Sequence, residues 1–245
     1  MPLTLPASDP AAIEQAAQRL AAGGLVGMPT ETVYGLAADA GNASAVRGIF
    51  EAKGRPSDHP LIVHIPPAEA DDWRAAVAPL ARSVPDFAVA LMEAFWPGPL
   101  TLILPRRAEV AAVAAGGQDS VGVRCPSHPV AQALLVAARA HGVIGVAAPS
   151  ANRFGRVSHT TAAPVAEEFS YLDDEQLLIL DGGACPVGIE STIVDCSRGV
   201  PVLLRPGMLT PAQIETVCGQ PLRARDQAAP RASGTLESHY APRAK

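Results

Sequence analysis

The sequence predicts an α/β domain: an open, twisted sheet that mixes parallel and antiparallel strands, flanked by helices. Three observations carry this. Short apolar runs recur at Leu25–Met28, Leu61–Ile65, Leu100–Leu104, Ser120–Arg124, Val143–Val146, Leu177–Leu180, Ser191–Asp195 and Val202–Arg205, and runs of this length read as strands. Stretches with apolar residues at helical spacing alternate with them. Several strands follow one another across short turns only, which argues against a purely parallel sheet.

At 245 residues the chain suits one large domain, or one domain and a tail. The boundary falls at 222, because residues 223–245 carry five Lys/Arg against two acids and almost no apolar periodicity. They read as a linker or arm. Apolar residues make up 48% and aromatics only 4%, so the core is built from Ala, Val, Leu and Ile, and stacking platforms for single-stranded nucleic acid are few. A net charge of −5 argues against a broad basic nucleic-acid face. Cys125, Cys185, Cys196 and Cys218 show no C-x-x-C spacing, so no protein metal site is expected and the thiols suit a reducing compartment. The N-terminus lacks a cationic stretch followed by an apolar one, and the apolar window Val130–Ala148 is interrupted by Gln132, Arg139 and His141. A cytoplasmic location without a membrane partner is the expectation.

In order, Ser8 or Asp9 caps a first helix that Pro10 opens, with Ile13, Ala16, Ala17 and Leu20 inward and Gly23-Gly24 at its end. Leu25–Met28 then runs into Pro29–Leu36, a strand-to-loop transition rich in hydroxyls with one carboxylate, and ligands bind at such edges of α/β sheets. Thr30 and Thr32 fit equally well as β-formers with satisfied hydroxyls. Asn42 caps a second helix, with Val46, Ile49 and Phe50 inward. A helical stretch from about Pro79 to Phe95 stops at the rigid turn Trp96-Pro97-Gly98-Pro99. His128–Arg139 is a helix, and Thr210 caps a last one over Pro211–Val217.

Cations gather at strand ends. Lys53 and Arg55 share the loop Lys53–Pro60 with two prolines and a glycine, and Arg124 and Arg205 each close a strand next to or near Pro. Such a loop is either a solvated turn or a rigid seat for polyphosphate or carboxylate. If the ends share one edge, four cations converge in an otherwise acidic chain, interleaved with Thr30, Thr32, Ser120, Ser150, Ser158 and Ser191. That set suits a nucleoside triphosphate with a small acidic co-substrate. Walker, dinucleotide and nucleophile-elbow motifs are absent. His59 and His64 are either loop and core histidines or two members of a site without a third ligand.

Seven ordered blocks carry a resemblance: Pro29–Leu36 (PTETVYGL), Lys53–Pro56 (KGRP), Phe95–Thr101 (FWPGPLT), Val121–Arg124 (VGVR), Pro149–Asn152 (PSAN), Ser191–Asp195 (STIVD) and Leu204–Gly207 (LRPG). Over roughly residues 10–220 the chain resembles the YrdC/TsaC threonylcarbamoyl-AMP synthases. Ser233–Pro242 resembles the linker of the longer, two-domain members. The resemblance implies the YrdC-like fold, an open twisted mixed sheet around a basic concave cavity. It implies a nucleotidyltransferase that joins L-threonine, bicarbonate and ATP, the latter with Mg²⁺, into threonylcarbamoyl-AMP and pyrophosphate. The product would feed N6-threonylcarbamoyladenosine modification of tRNA through separate transfer proteins. Thr32, His64, Arg124, the backbone at Ala148 and Ser191 would hold threonine. Lys53, Arg55, His59, Ser120, Ser150, Asn152, Ser158 and Arg205 would hold ATP, with Lys53 and Arg55 stabilising phosphoryl charge and no general base assigned. Tyr240 or His239 would close over the nucleotide. His59 stands where many members carry Asn, and Ser158-His159-Thr160-Thr161 replaces their Ser-Pro-Thr-Thr. Two other readings fit a basic concavity: a non-catalytic RNA-binding module, and a carbamoyl-transfer domain of the hydrogenase-maturation type.

Overall fold

A computed structural model describes residues 1–234 of the chain. The strands among them are β1 (Leu3–Pro6), β2 (Leu25–Met28), β3 (Gly35–Asp39), β4 (Ile62–His64), β5 (Leu100–Pro105), β6 (Ser120–Arg124), β7 (Val146–Ala147), β8 (Leu177–Asp181), β9 (Thr192–Asp195) and β10 (Val202–Arg205). The helices are α1 (Pro10–Ala21), α2 (Ala43–Lys53), α3 (Trp73–Val77), α4 (Asp86–Phe95), α5 (Pro129–Ala140), α6 (Ala162–Glu168) and α7 (Pro211–Cys218). All ten strands join one sheet, ordered β1-β8-β2-β3-β7-β4-β6-β5-β9-β10. The pairs β1/β8, β2/β8, β4/β6 and β5/β9 are parallel and the rest antiparallel. This is the mixed open sheet that the run of short turns predicts.

Three elements differ from expectation. The N-terminal Leu3–Pro6 forms an edge strand, although its flanking prolines give no strand signal; Pro is tolerated there because an edge strand has one unpaired side. The helix expected from Pro79 to Phe95 is the shorter α4, which starts only after Pro85, extended as its N-cap residue, and a separate α3 precedes it and ends before Pro79. A further helix, α6, follows Thr161. Local capping chemistry is as read. Asp9 accepts the Ala11 N–H at 2.9 Å, the Asn42 side chain accepts from Ser44 and Ala45, and Thr210 forms a reciprocal capping box with Gln213.

Period-two alternation divides each strand between the two faces of the sheet. One face carries Leu36, Val63, Leu102, Val123, Ile179 and Val194, and joins the main core under Ile49 and Phe50 of α2, Leu91 and Met92 of α4, and Val165 of α6. Helices cover the other face at one end only, where Ala16 and Leu20 of α1 and Leu134 and Leu135 of α5 pack on Val26, Leu178 and Leu180. Toward its far end a small cluster of Ile62, Ile103, Ile193, Val202 and Leu204 is covered by Ala229 and Ala232. Residues 223–234, part of the stretch read as a linker or arm, pack there as a strap. Between strap and helices this second face stays open, and the alternation turns Ile62 and His64, Thr101, Gly122 and Arg124, and Ser191 toward the gap.

Candidate functional site

The turn that follows β2 is shaped by one hydroxyl. Thr30 Oγ1 accepts the N–H groups of Thr32 and Val33 at 3.2 Å each and donates to the Val33 carbonyl at 2.6 Å. This is a side-chain-closed turn, so Thr30 and Thr32 are not strand residues. It brings Thr32 Oγ1 within 2.9 Å of Arg124 Nη1, which donates to it.

Register supplies the rest. Parallel pairing of β4 with β6 sets His64 beside Arg124 and Ile62 beside Gly122. A Cβ at Gly122 would lie 3.2 Å from Ile103 Cδ1 and 3.5 Å from Thr101 Cγ2, so glycine relieves crowding against β5. Ser191, just before β9, shares a 2.8 Å hydrogen bond with Thr101 of β5. The result is a polar cleft of about 370 Å³ whose lining includes Thr32, His64, Arg124, Ala148, Ser150, Ser191 and Arg205. All five residues expected at the threonine end thus line one cavity. Arg205 Nη2 donates to Ser191 Oγ at 3.0 Å and to its carbonyl at 2.9 Å. Its Nη1 donates to the Ser233 carbonyl at 3.0 Å and pairs with Glu190.

Arg205 and Glu190 also line a wider, more apolar cleft of about 1090 Å³, together with Val157, Ser158, Ile189 and Gly234. Ser158 Oγ donates to Glu190 Oε1 at 3.2 Å. Ser120 lines a third, narrow cleft beneath Arg231–Ser233. Four expected nucleotide residues line none of these. Lys53 Nζ donates to the carbonyls of Ser150 and Asn152. Arg55 Nη2 donates to the Pro60 carbonyl at 3.2 Å and reaches Ser233 Oγ at 3.4 Å. Asn152 Nδ2 donates to the carbonyls of Arg153 and Arg156. The His59 ring lies tilted against Phe154, 5.7 Å between centroids. Tyr240 and His239 lie outside the described residues.

Sequence reasoning gave no role to Glu31, Glu190 or Ser233. Glu31 pairs with Arg124 at 2.6 Å, with both side chains buried. Glu190 and Ser233 line the polar cleft. The first two sit inside or beside quoted motifs, which is the signal that was available; Ser233 carries none beyond the linker motif it opens.

Burial and then the Arg124 charge push His64 down to about 3, so its imidazole is neutral near pH 7, and its Nδ1 has no hydrogen-bond partner among the described residues. Burial and then Arg55 push Lys53 down to about 7, whereas its two carbonyl partners favour the charged form. Burial raises Cys185 to about 11, which keeps this thiol unreactive at neutral pH.

Fold and cleft together define an α/β domain with a polar pocket set into the open face of a mixed sheet. The chain belongs to the Sua5/YciO/YrdC family: that family's model, described as "Telomere recombination", matches residues 18–207. The chain is 44% identical over 228 residues to the threonylcarbamoyl-AMP synthase of Pyrococcus abyssi, covering 91% of itself and 63% of that protein. It is 45% identical over 246 residues to that of Bacillus subtilis, covering 98% of itself and 67% of the relative. It thus spans about two thirds or less of the length of these relatives. Among solved structures, P. abyssi Sua5 complexed with L-threonine superposes with a TM-score of 0.86 at 40% identity, over 99% of this chain and 69% of that one. Escherichia coli YciO, at 22% identity and a TM-score of 0.69 over 86% of this chain and 97% of its own, shares the fold.

Proposed function

We propose that the chain forms L-threonylcarbamoyl-AMP from L-threonine, bicarbonate and ATP. The threonine amine attacks the bicarbonate carbon, water leaves, and a carbamate results. A carbamate oxygen then attacks the α-phosphorus, and pyrophosphate departs with the electron pair of the broken P–O bond. Neither step needs an enzyme nucleophile; alignment and charge stabilisation suffice.

The observation that carries this is the convergence of Thr32, His64, Arg124, Ala148 and Ser191 on one cavity that also holds Ser150 and Arg205, in a chain similar to a protein whose structure is complexed with L-threonine. Arg124 suits the substrate carboxylate. Neutral His64, with an unpartnered buried nitrogen, offers a hydrogen bond without adding charge. Ser150, Ser158 and Arg205 face the nucleotide side, and Arg55 joins them through Ser233. ATP enters as its magnesium complex. Glu190, a carboxylate in both the polar and the wider cleft, already faces Arg205 and Ser158, so substrate phosphates and water would supply the ligands of that ion. The adenylate would donate its threonylcarbamoyl group to tRNA through separate transfer proteins, a role that suits a cytoplasmic reaction.

The test is pyrophosphate release from ATP and bicarbonate, with and without L-threonine and other amino acids. Threonine-dependent release is expected, falling by about 100-fold or more in Arg124→Ala, which removes a charged partner of the substrate. Release independent of any amino acid, or the same rate in the variant, overturns the reading. Preference for carbamoyl phosphate over bicarbonate would assign the chain to carbamoyl transfer, and salt-sensitive RNA binding without turnover would make it a binding module.

A further inference from the structure

We infer that Glu31 is a positioning and specificity-determining residue for the amino-acid end of the cleft, acting through Arg124. The inference rests on the reading of that end as the threonine site.

Arg124 lines the cleft and Glu31 does not. Glu31 stands behind the guanidinium, 2.6 Å from Nη2 through Oε1, with the two residues 4% and 3% exposed. The remaining donors of Arg124 are directed as well: Nε to the Gly98 carbonyl at 3.2 Å and Nη1 to Thr32 Oγ1 at 2.9 Å. Glu31 is held in turn. Its Oε2 accepts the Ser127 N–H at 3.2 Å, and its carbonyl accepts the Val187 N–H at 2.8 Å. Each of the three guanidinium nitrogens therefore has a fixed neighbour, and Arg124 lines the cavity in that orientation.

A buried ion pair contributes little stability compared with a well-packed apolar pair, but removing one partner leaves a buried charge uncompensated. Its value here is electrostatic. The reaction places two kinds of anion in adjoining spaces, a carboxylate and a polyphosphate. An uncompensated guanidinium in a low-dielectric wall attracts any anion, and the multiply charged one most strongly. With Glu31 behind it and a neutral His64 beside it, Arg124 presents directed donors with little net charge. A zwitterionic amino acid fits such a site, whereas phosphate does not. Glu31 thereby keeps phosphates out of the threonine end.

Glu31→Gln tests this. One carboxylate oxygen faces the Arg124 guanidinium and the other accepts the Ser127 N–H, and a glutamine has one oxygen for the two and no charge. In the variant the threonine KM is expected to rise about tenfold, the loss of one buried ion pair that orients Arg124, with the ATP KM within twofold. Inorganic phosphate should become a competitive inhibitor against threonine, which a merely structural role would not produce. Glu31→Asp retains the charge and should keep phosphate excluded. Calorimetric titration of both variants with phosphate reads the same exclusion without turnover, so it stands even if the proposed reaction fails: binding to Glu31→Gln but not to wild type or Glu31→Asp supports the assignment. Equal phosphate binding by all three, a phosphate-insensitive Glu31→Gln, or a parallel rise of both KM values overturns it.

Discussion

His64 couples the site to acid stability. In the unfolded chain its imidazole takes up a proton below the ordinary value of 6.5, whereas the folded protein refuses that proton until about pH 3. The unfolded state binds the extra proton across that window, so stability falls as pH drops through it, by about 1.4 kcal/mol per pH unit. Between pH 6.5 and 5 wild type should lose roughly 2 kcal/mol more than His64→Gln, measured by urea unfolding; matching losses would refute the assignment. At this scale the threonine end was legible, because Thr32, His64, Arg124 and Ser191 each stand at or beside a strand end, where open α/β sheets expose side chains to ligand. The cation cluster was legible only in part. A loop's composition shows that Lys53 and Arg55 are cations but not which oxygens they meet, and the folded chain turns the Lys53 ammonium onto two backbone carbonyls. Glu31 escaped notice because its role depends on a partner 93 positions away, and that pairing exists only once the turn after β2 reaches the end of β6.

Among the connecting elements, the segment after β5 depends most on a single side chain. Arg106 is 6% exposed. Its Nη1 donates to the carbonyls of Arg107, Ala108 and Val110 at 2.8 Å each, and its Nε to that of Gln118 at 2.9 Å. The same segment gives the Ala114 carbonyl to the Leu61 N–H at 2.7 Å and brings Gly116, with a φ of +60°, so close to Asp58 that a Cβ would lie 2.5 Å from its carbonyl oxygen. Arg106 thus braces the cationic loop from behind. Arg106→Met should destabilise the chain by roughly 3 kcal/mol, since several carbonyls lose a charged donor at once. An unchanged urea midpoint would show that water replaces the guanidinium. On the other side of the site, Glu168 of α6 accepts the Arg153 N–H at 3.2 Å and Arg156 Nη1 at 3.1 Å, and lies 3.6 Å from His159 Nε2. These contacts hold the loop that carries His159. Helix α6 was not legible, because Thr160 and Thr161 end a loop-like stretch and the helix is only seven residues long.

For the whole molecule, the strap decides how closed the second face is. Arg223 N–H donates to the Pro201 carbonyl at 3.0 Å, and Arg198 pairs with Asp226 at 2.9 Å. Gln118 and Arg231 bond reciprocally, side chain to backbone, at 3.1 and 2.7 Å. Removing residues 223–245 uncovers the cluster of Ile62, Ile103, Ile193, Val202 and Leu204 and frees Arg55 and Arg205 from Ser233. The shortened chain should melt roughly 5 °C lower, given about 2–4 °C per kcal/mol at this size, and bind ATP more weakly. An equal Tm would mean that the strap adds no net stability. Charge and the lack of apolar periodicity made this segment read as a linker or arm; two alanines with no periodicity around them do not announce a contact with a sheet. The mixed sheet itself was legible from short turns between strands, and no membrane-spanning helix occurs among the described residues.

The position of β8 between β1 and β2 sets the order of events as the chain is made. Both early strands pair in parallel with residues 177–181, so neither can complete its ladder until at least about 150 more residues have left the ribosome. At roughly 5–20 residues per second that interval is on the order of ten seconds or more. Throughout it the nascent β2–β3 hairpin exposes an apolar edge with unpaired amides, the kind of surface that chaperones shield and that neighbouring nascent chains can capture.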